Sequence, residues 1–171
     1  VGSEMCIRDS YRGEVAVWVP WFQEEMGVES AIKNIRDIHT IYAFVYEVDS
    51  NGDLINKVDF EDKHWEDLFE EAEDRRIDVI PTIAWFDGEA IHETLSDRGK
   101  RKAHIREIIR MVKKYDFAGV DIDYEQKLAK TIDYYSLFLK ELEDDLGRDD
   151  LVCTIEARTP AQLSKLSNMQ V

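Results

Sequence analysis

Gly119, Val120, Asp121, Ile122, Asp123, Tyr124 and Glu125 form a run in which every second residue from 121 is acidic. In an extended strand, side chains at i, i+2 and i+4 project from one face. Asp121, Asp123 and Glu125 therefore share a face, and Val120, Ile122 and Tyr124 occupy the other. Three carboxylates in a row repel one another. This raises the cost of ionising all three and favours one that stays protonated near neutral pH. A carboxylic acid that keeps its proton is what general acid catalysis at a glycosidic oxygen requires. Two other readings stay open on the pattern alone: a solvated acidic face, and a cluster that ligates Mg²⁺ or Ca²⁺. The large apolar alternate residues and the amphipathic stretch before the run favour a functional site over a solvated face.

Other elements must hold such a strand in place. Apolar, β-rich runs occur at 14–22, 39–48, 77–86 and 151–157, and with the acidic run they predict five strands. Helical spacing of apolar residues predicts helices over 28–38, around Trp65, Leu68, Phe69 and Ala72, over 100–114 and over 134–146. Asn51-Gly52 is a tight-turn signal, residues 54–60 read as a short extra strand or loop arm, and 87–97 reads as a loop. Strands alternating with helices imply an α/β fold with a parallel sheet covered by helices. Both an open doubly wound sheet and a (β/α)8 barrel satisfy this pattern. No Gly-rich phosphate fingerprint follows the first strand, which counts against a dinucleotide fold. Trp21, Tyr46, Trp85, Glu125 and Glu156 gather at strand C-terminal ends, where both architectures place sites.

The 171 residues are 44% hydrophobic and 35% charged, as in a globular domain with its own core. A net charge of −15 argues against nucleic acid or an anionic membrane as partner, whereas a neutral glycan is compatible with it. No apolar run is long enough to span a bilayer, so no membrane insertion is expected. Residues 1–10 have no structural period and look like translated adaptor sequence, which is expected to be a non-native leader; no signal peptide is visible. Cys6 falls in that leader, and Cys153 is expected to be a buried free thiol. His39, His64, His92 and His104 neither pair at i, i+4 nor flank the acids, and read as structural or surface residues.

The run from Tyr115 to Glu125 resembles the fourth-strand signature of family 18 glycoside hydrolases: Phe-Asp-Gly, an apolar residue, Asp, an apolar residue, Asp, Trp or Tyr, then Glu. Thr40 to Leu54 is similar to the family's second strand, Ile77 to Trp85 to its third. The similarity spans residues 14 to 157. Three departures stand out. Ala118 replaces the signature's first Asp, out of phase with 121, 123 and 125. Thr82-Ile83-Ala84-Trp85 stands where many chitinases carry a Ser and a Gly pair, and Gln126-Lys127 replaces a common Tyr-Pro.

The resemblance implies a partial (β/α)8 TIM barrel. Residues 11–171 would supply its N-terminal portion, the first five strands or so with their helices, and the rest of the barrel would lie beyond the C-terminus. It also implies substrate-assisted retaining catalysis on β-1,4-linked glycans that contain N-acetylglucosamine, of chitin or peptidoglycan type. Glu125 would be the general acid and then the base. Asp123 would orient the substrate's 2-acetamido group, and Asp121 would sit behind it and tune both neighbours. A positioning Tyr would come from a later strand. Trp21, Tyr46 and Trp85 are candidate sugar-stacking residues, and Glu156, with Arg158, could face the cleft. No metal and no cofactor are implied. The full-length parent is expected to be a secreted or cell-envelope monomer. The alternative is a non-catalytic, lectin-like protein on the same barrel.

Overall fold

The computed structural model of the protein describes residues 14–147 and 150–153. Glu156, Arg158, the 1–10 leader and the side chain of Cys153 lie outside the described residues. The β-rich runs form β1 (Ala16–Pro20), β2 (Thr40–Val48), β3 (Leu54–Asn56), β4 (Asp78–Trp85), β5 (Gly119–Tyr124) and β6 (Asp150–Cys153). Between them lie α1 (Glu24–Lys33), α2 (Lys63–Arg75), α3 (Gly88–Ser96), α4 (Arg98–Tyr115) and α5 (Ile132–Leu146). Among the described residues, no helix is long and apolar enough to cross a membrane.

The sheet runs β1-β2-β4-β5-β6 with every neighbouring pair parallel, and β3 folds back antiparallel on β2. Chain order and spatial order therefore coincide. A doubly wound sheet reverses its strand order at a switch point, whereas a barrel advances in one direction. The observed order is that of a barrel, with five parallel strands among the described residues. The short arm read at 54–60 is the β3 hairpin, whose turn places Gly52 at φ 90°.

Two helices differ from expectation. Residues 87–97, read as a loop, contain α3. Asp87 caps it by accepting from the backbone N–H groups of Glu89 and Ala90, and Ala90, Ile91, Thr94 and Leu95 form its buried stripe. The helix expected over 28–38 is α1, which starts earlier and stops at Lys33; a single 3-10 turn over Ile35–Asp37 then carries Ile35 into the core.

Ladder partners share a face, so the register sorts the two sides of the sheet. Pro20, Phe44, Thr82, Asp121 and Val152 form one continuous row. Trp18, Tyr42 and Ile80 form the row below it. The opposite face carries Val19, Ile41, Ala43, Ile83, Val120, Ile122 and Tyr124, all almost completely buried in the core. The acidic face is thus the inner, barrel-facing side, and the apolar alternate residues seal the strand against the helices.

Candidate active site

The period-2 expectation for β5 holds. Asp121 and Asp123 share the inner face with Thr82 and Ala84, their partners on β4. Glu125 lies one residue past the strand but stays in the ladder, because its backbone N–H donates to the Trp85 carbonyl at 2.8 Å. Successive acids along a strand are about 6.6 Å apart, and their exposure rises toward the rim. Asp121 is 0% exposed, Asp123 is 8% exposed and Glu125 is half-buried. Only the last two can meet a ligand entering from the C-terminal end. Among the described residues, no three His, Cys, Asp or Glu side chains converge to hold a metal ion.

Asp121 is held from the neighbouring strand, where the Thr82 hydroxyl donates to its Oδ2 at 2.9 Å. Sequence inspection marked Thr82 only as a change of residue type; register shows that a hydroxyl is what this position supplies. Thr82→Val keeps the shape and removes the donor beside a buried carboxyl. It should lower unfolding free energy by about 1–3 kcal/mol in urea titrations, with Thr82→Ser closer to the parent.

The candidate stacking residues separate. Trp21 follows β1 at the same rim as the acids. The Lys57 ammonium lies 4.6 Å from its ring centroid and pairs with Glu47 at 3.0 Å. Glu47 is in register with Ala84, and Ala84 with Asp123. A Glu47–Lys57–Trp21 cluster thus borders the acidic row on the β2 side, and the sequence pattern had not singled out Glu47 or Lys57.

Tyr46 and Trp85 do not join the acids. The ladder shifts between Phe44 and Tyr46, so Tyr46 pairs with Ile83 rather than continuing the inner row of Tyr42 and Phe44. One extra residue flips everything after it to the other face. Tyr46 is 5% exposed and packs 6.3 Å from Phe60. Burial, aided by nearby Tyr115, pushes its phenol above the ordinary tyrosine range. Trp85 is in register with Tyr124 and so falls out of phase with the acids. It is 1% exposed, edge-on to Tyr124 at 5.4 Å. Both are corrected to core aromatics, because a sugar cannot reach either ring. Glu156 falls outside the described residues.

On the core side of β5, His104 of α4 packs against Tyr124. Its Nδ1 lies 3.0 Å from the Gly52 carbonyl and its Nε2 2.5 Å from the Tyr124 hydroxyl. A carbonyl can only accept, so Nδ1 carries the proton and Nε2 accepts from Tyr124. Burial pushes the imidazole down to about 4, so the ring is neutral at ordinary pH. It is a structural histidine, as expected, but it touches the residue between two of the acids.

The family model for glycosyl hydrolases family 18 matches residues 18–169. The chain belongs to this family. Among curated proteins, this family 18 chain is 29% identical over 130 residues to the "Putative sporulation-specific glycosylase YdhD" of Bacillus subtilis strain 168; the match covers 73% of the chain and 29% of that protein. Among solved structures, a class V chitinase from Pseudomonas fluorescens Pf-5 aligns with TM-score 0.76 at 18% identity, over 88% of this chain and 48% of the other. The spore cortex-lytic enzyme SleL of Bacillus cereus aligns with TM-score 0.66 at 17% identity, over 83% of this chain and 35% of the other. The family 18 chain therefore spans about half, or less, of the length of these relatives.

Proposed function

We propose that this chain carries the acid/base half of a glycosidase that cleaves β-1,4 linkages beside N-acetylglucosamine, in chitin or peptidoglycan-type glycans. The observation that carries this reading is the graded exposure of Asp121, Asp123 and Glu125 along β5 and just past its end, the first two on the inner face, at the rim where a barrel binds its ligand. Glu125, the most exposed, protonates the leaving oxygen and later activates water. Asp123 accepts from the acetamido N–H of the substrate and holds the acetamido carbonyl oxygen beneath the anomeric carbon. That oxygen attacks as the glycosidic bond breaks, giving a cyclic oxazolinium-like species that water then opens. Asp121, held by Thr82, sits one step behind and supports Asp123. The active unit on this reading is the complete barrel, acting as a monomer, with the remaining strands adding further substrate contacts.

Family membership fits a chitinase-type glycan, and the relatives named for sporulation and cortex lysis fit a peptidoglycan one. A half-buried Glu at the end of the acidic row supplies a proton donor, which a non-catalytic binding protein on this scaffold does not need. The test is to incubate the complete barrel with chitin oligosaccharides and with peptidoglycan fragments and follow the first product by NMR. The reading expects cleavage with the β-anomer formed first. An inverted first product, or binding of either glycan without cleavage, would overturn it.

A further inference from the structure

The peptide unit between Tyr124 and Glu125 is bonded at both ends. Its N–H donates to the Trp85 carbonyl, and its carbonyl accepts from the Lys127 ammonium. Immediately beyond, Gln126 turns away at φ 54°. Gly88 lies against this turn so closely that a Cβ there would stand 2.3 Å from the Gln126 carbonyl oxygen. These contacts hold the peptide on its Glu125 side. On its other side the same peptide is held by the side chain of Tyr124, whose ring is 1% exposed, stacked on Phe138 at 5.6 Å and edge-on to Trp85. Its hydroxyl ends on His104, and His104 ends on the Gly52 carbonyl of the β2–β3 turn. α4, which presents His104, is itself pinned to α5 through buried Arg101, which pairs with half-buried Glu141 at 3.0 Å.

We propose that Tyr124, His104 and the Gly52 carbonyl form a positioning relay that sets where the Glu125 carboxyl stands at the rim. The relay joins three parts of the fold, the β2–β3 hairpin, α4 and the end of β5, at the residue next to the proton donor. Neither His104 nor Tyr124 touches the inner face, so both are positioning residues that act through the backbone of Glu125. The inference rests on the assignment of Glu125 as acid/base. It adds that the hairpin, some seventy residues upstream in the chain, serves that placement by holding the His104 tautomer whose Nε2 accepts from Tyr124, a hold that a Gln carbonyl at the same position does not need.

Three substitutions in the complete barrel separate the links. Tyr124→Phe keeps the ring packing and removes the hydroxyl. His104→Asn places an amide near the Nδ1 position, keeping the Gly52 link and losing Tyr124. His104→Gln reaches the Nε2 position, where its carbonyl can still accept from Tyr124. On an N-acetylglucosaminyl oligosaccharide, Tyr124→Phe and His104→Asn should lower kcat roughly tenfold or more with KM changed less than about threefold, while His104→Gln stays within about threefold of the parent, since small displacements of a reacting group are costly. Wild-type kcat in the folded fraction of all three, with only Tm reduced, would overturn the relay. The ¹³C titration of the Glu125 carboxyl is read in parallel. If the parent barrel cleaves nothing, the functional reading fails. The relay then stands on a titration midpoint that moves in Tyr124→Phe and His104→Asn but not in His104→Gln, and falls if the midpoint is the same in all.

Discussion

Glu125→Gln in the complete barrel is expected to lower kcat on a chitin or peptidoglycan oligosaccharide by about 10²–10⁴-fold, the range that a positioned general acid supplies. The amide keeps the shape of the acid and cannot donate a proton to a leaving alkoxide. Stability should change by less than about 0.5 kcal/mol, because Glu125 is half-buried at the strand end and its place in the ladder is made by its backbone N–H. KM should move little, since the lost contact belongs to the transition state. Chemical denaturation and steady-state kinetics on the same preparation separate these effects. Turnover equal to the parent would remove Glu125 from the chemistry.

Asp123→Asn should cost on the order of 10²–10³-fold in kcat, the scale seen when one oriented polar group at a reacting centre is removed. At 8% exposure Asp123 is reached only from the barrel interior, where a carboxylate can accept the acetamido N–H. Asn offers a weaker, neutral acceptor and can present a donor instead. The loss should therefore appear where the acetamido group is cyclising. Affinity for a cyclic mimic of that intermediate should fall roughly in step with kcat/KM, while affinity for an intact oligosaccharide falls much less. Equal losses for both ligands would make Asp123 an ordinary binding residue.

Much of this arrangement was legible before any coordinates. The apolar runs predicted the parallel strands, since a strand covered on one side by helices needs β-branched and aromatic residues there. The two-residue period of Asp121, Asp123 and Glu125 put the acids on one face; β5 carries Asp121 and Asp123 that way, and Glu125 follows one residue past its end. The alternation of strands and helices alone left barrel and doubly wound sheet open, because both folds share it; the resemblance of Tyr115 to Glu125 to the family 18 signature pointed to the barrel, and the strand order agrees. α3 was missed because a nine-residue helix between two aspartates has the composition of a loop; the signal available was Asp87 followed by Ala90, Ile91, Thr94 and Leu95 at helical spacing. Tyr46 and Trp85 were misplaced for a related reason. Nearness to a strand end sets the rim, but the face depends on register, and the bulge near Val45 leaves no mark in the sequence. His104 gave no local sign either, since its partners Gly52 and Tyr124 lie 52 and 20 residues away.

The most direct measurement is a crystal structure of the complete barrel carrying Glu125→Gln, with an uncleaved N-acetylglucosamine oligosaccharide bound. The residue 125 amide should lie within hydrogen-bond distance of the glycosidic oxygen, with the acetamido group of the sugar on its non-leaving side turned under its own anomeric carbon against Asp123. A glycan bound away from this row, or an acetamido group directed away from Asp123, would contradict the account.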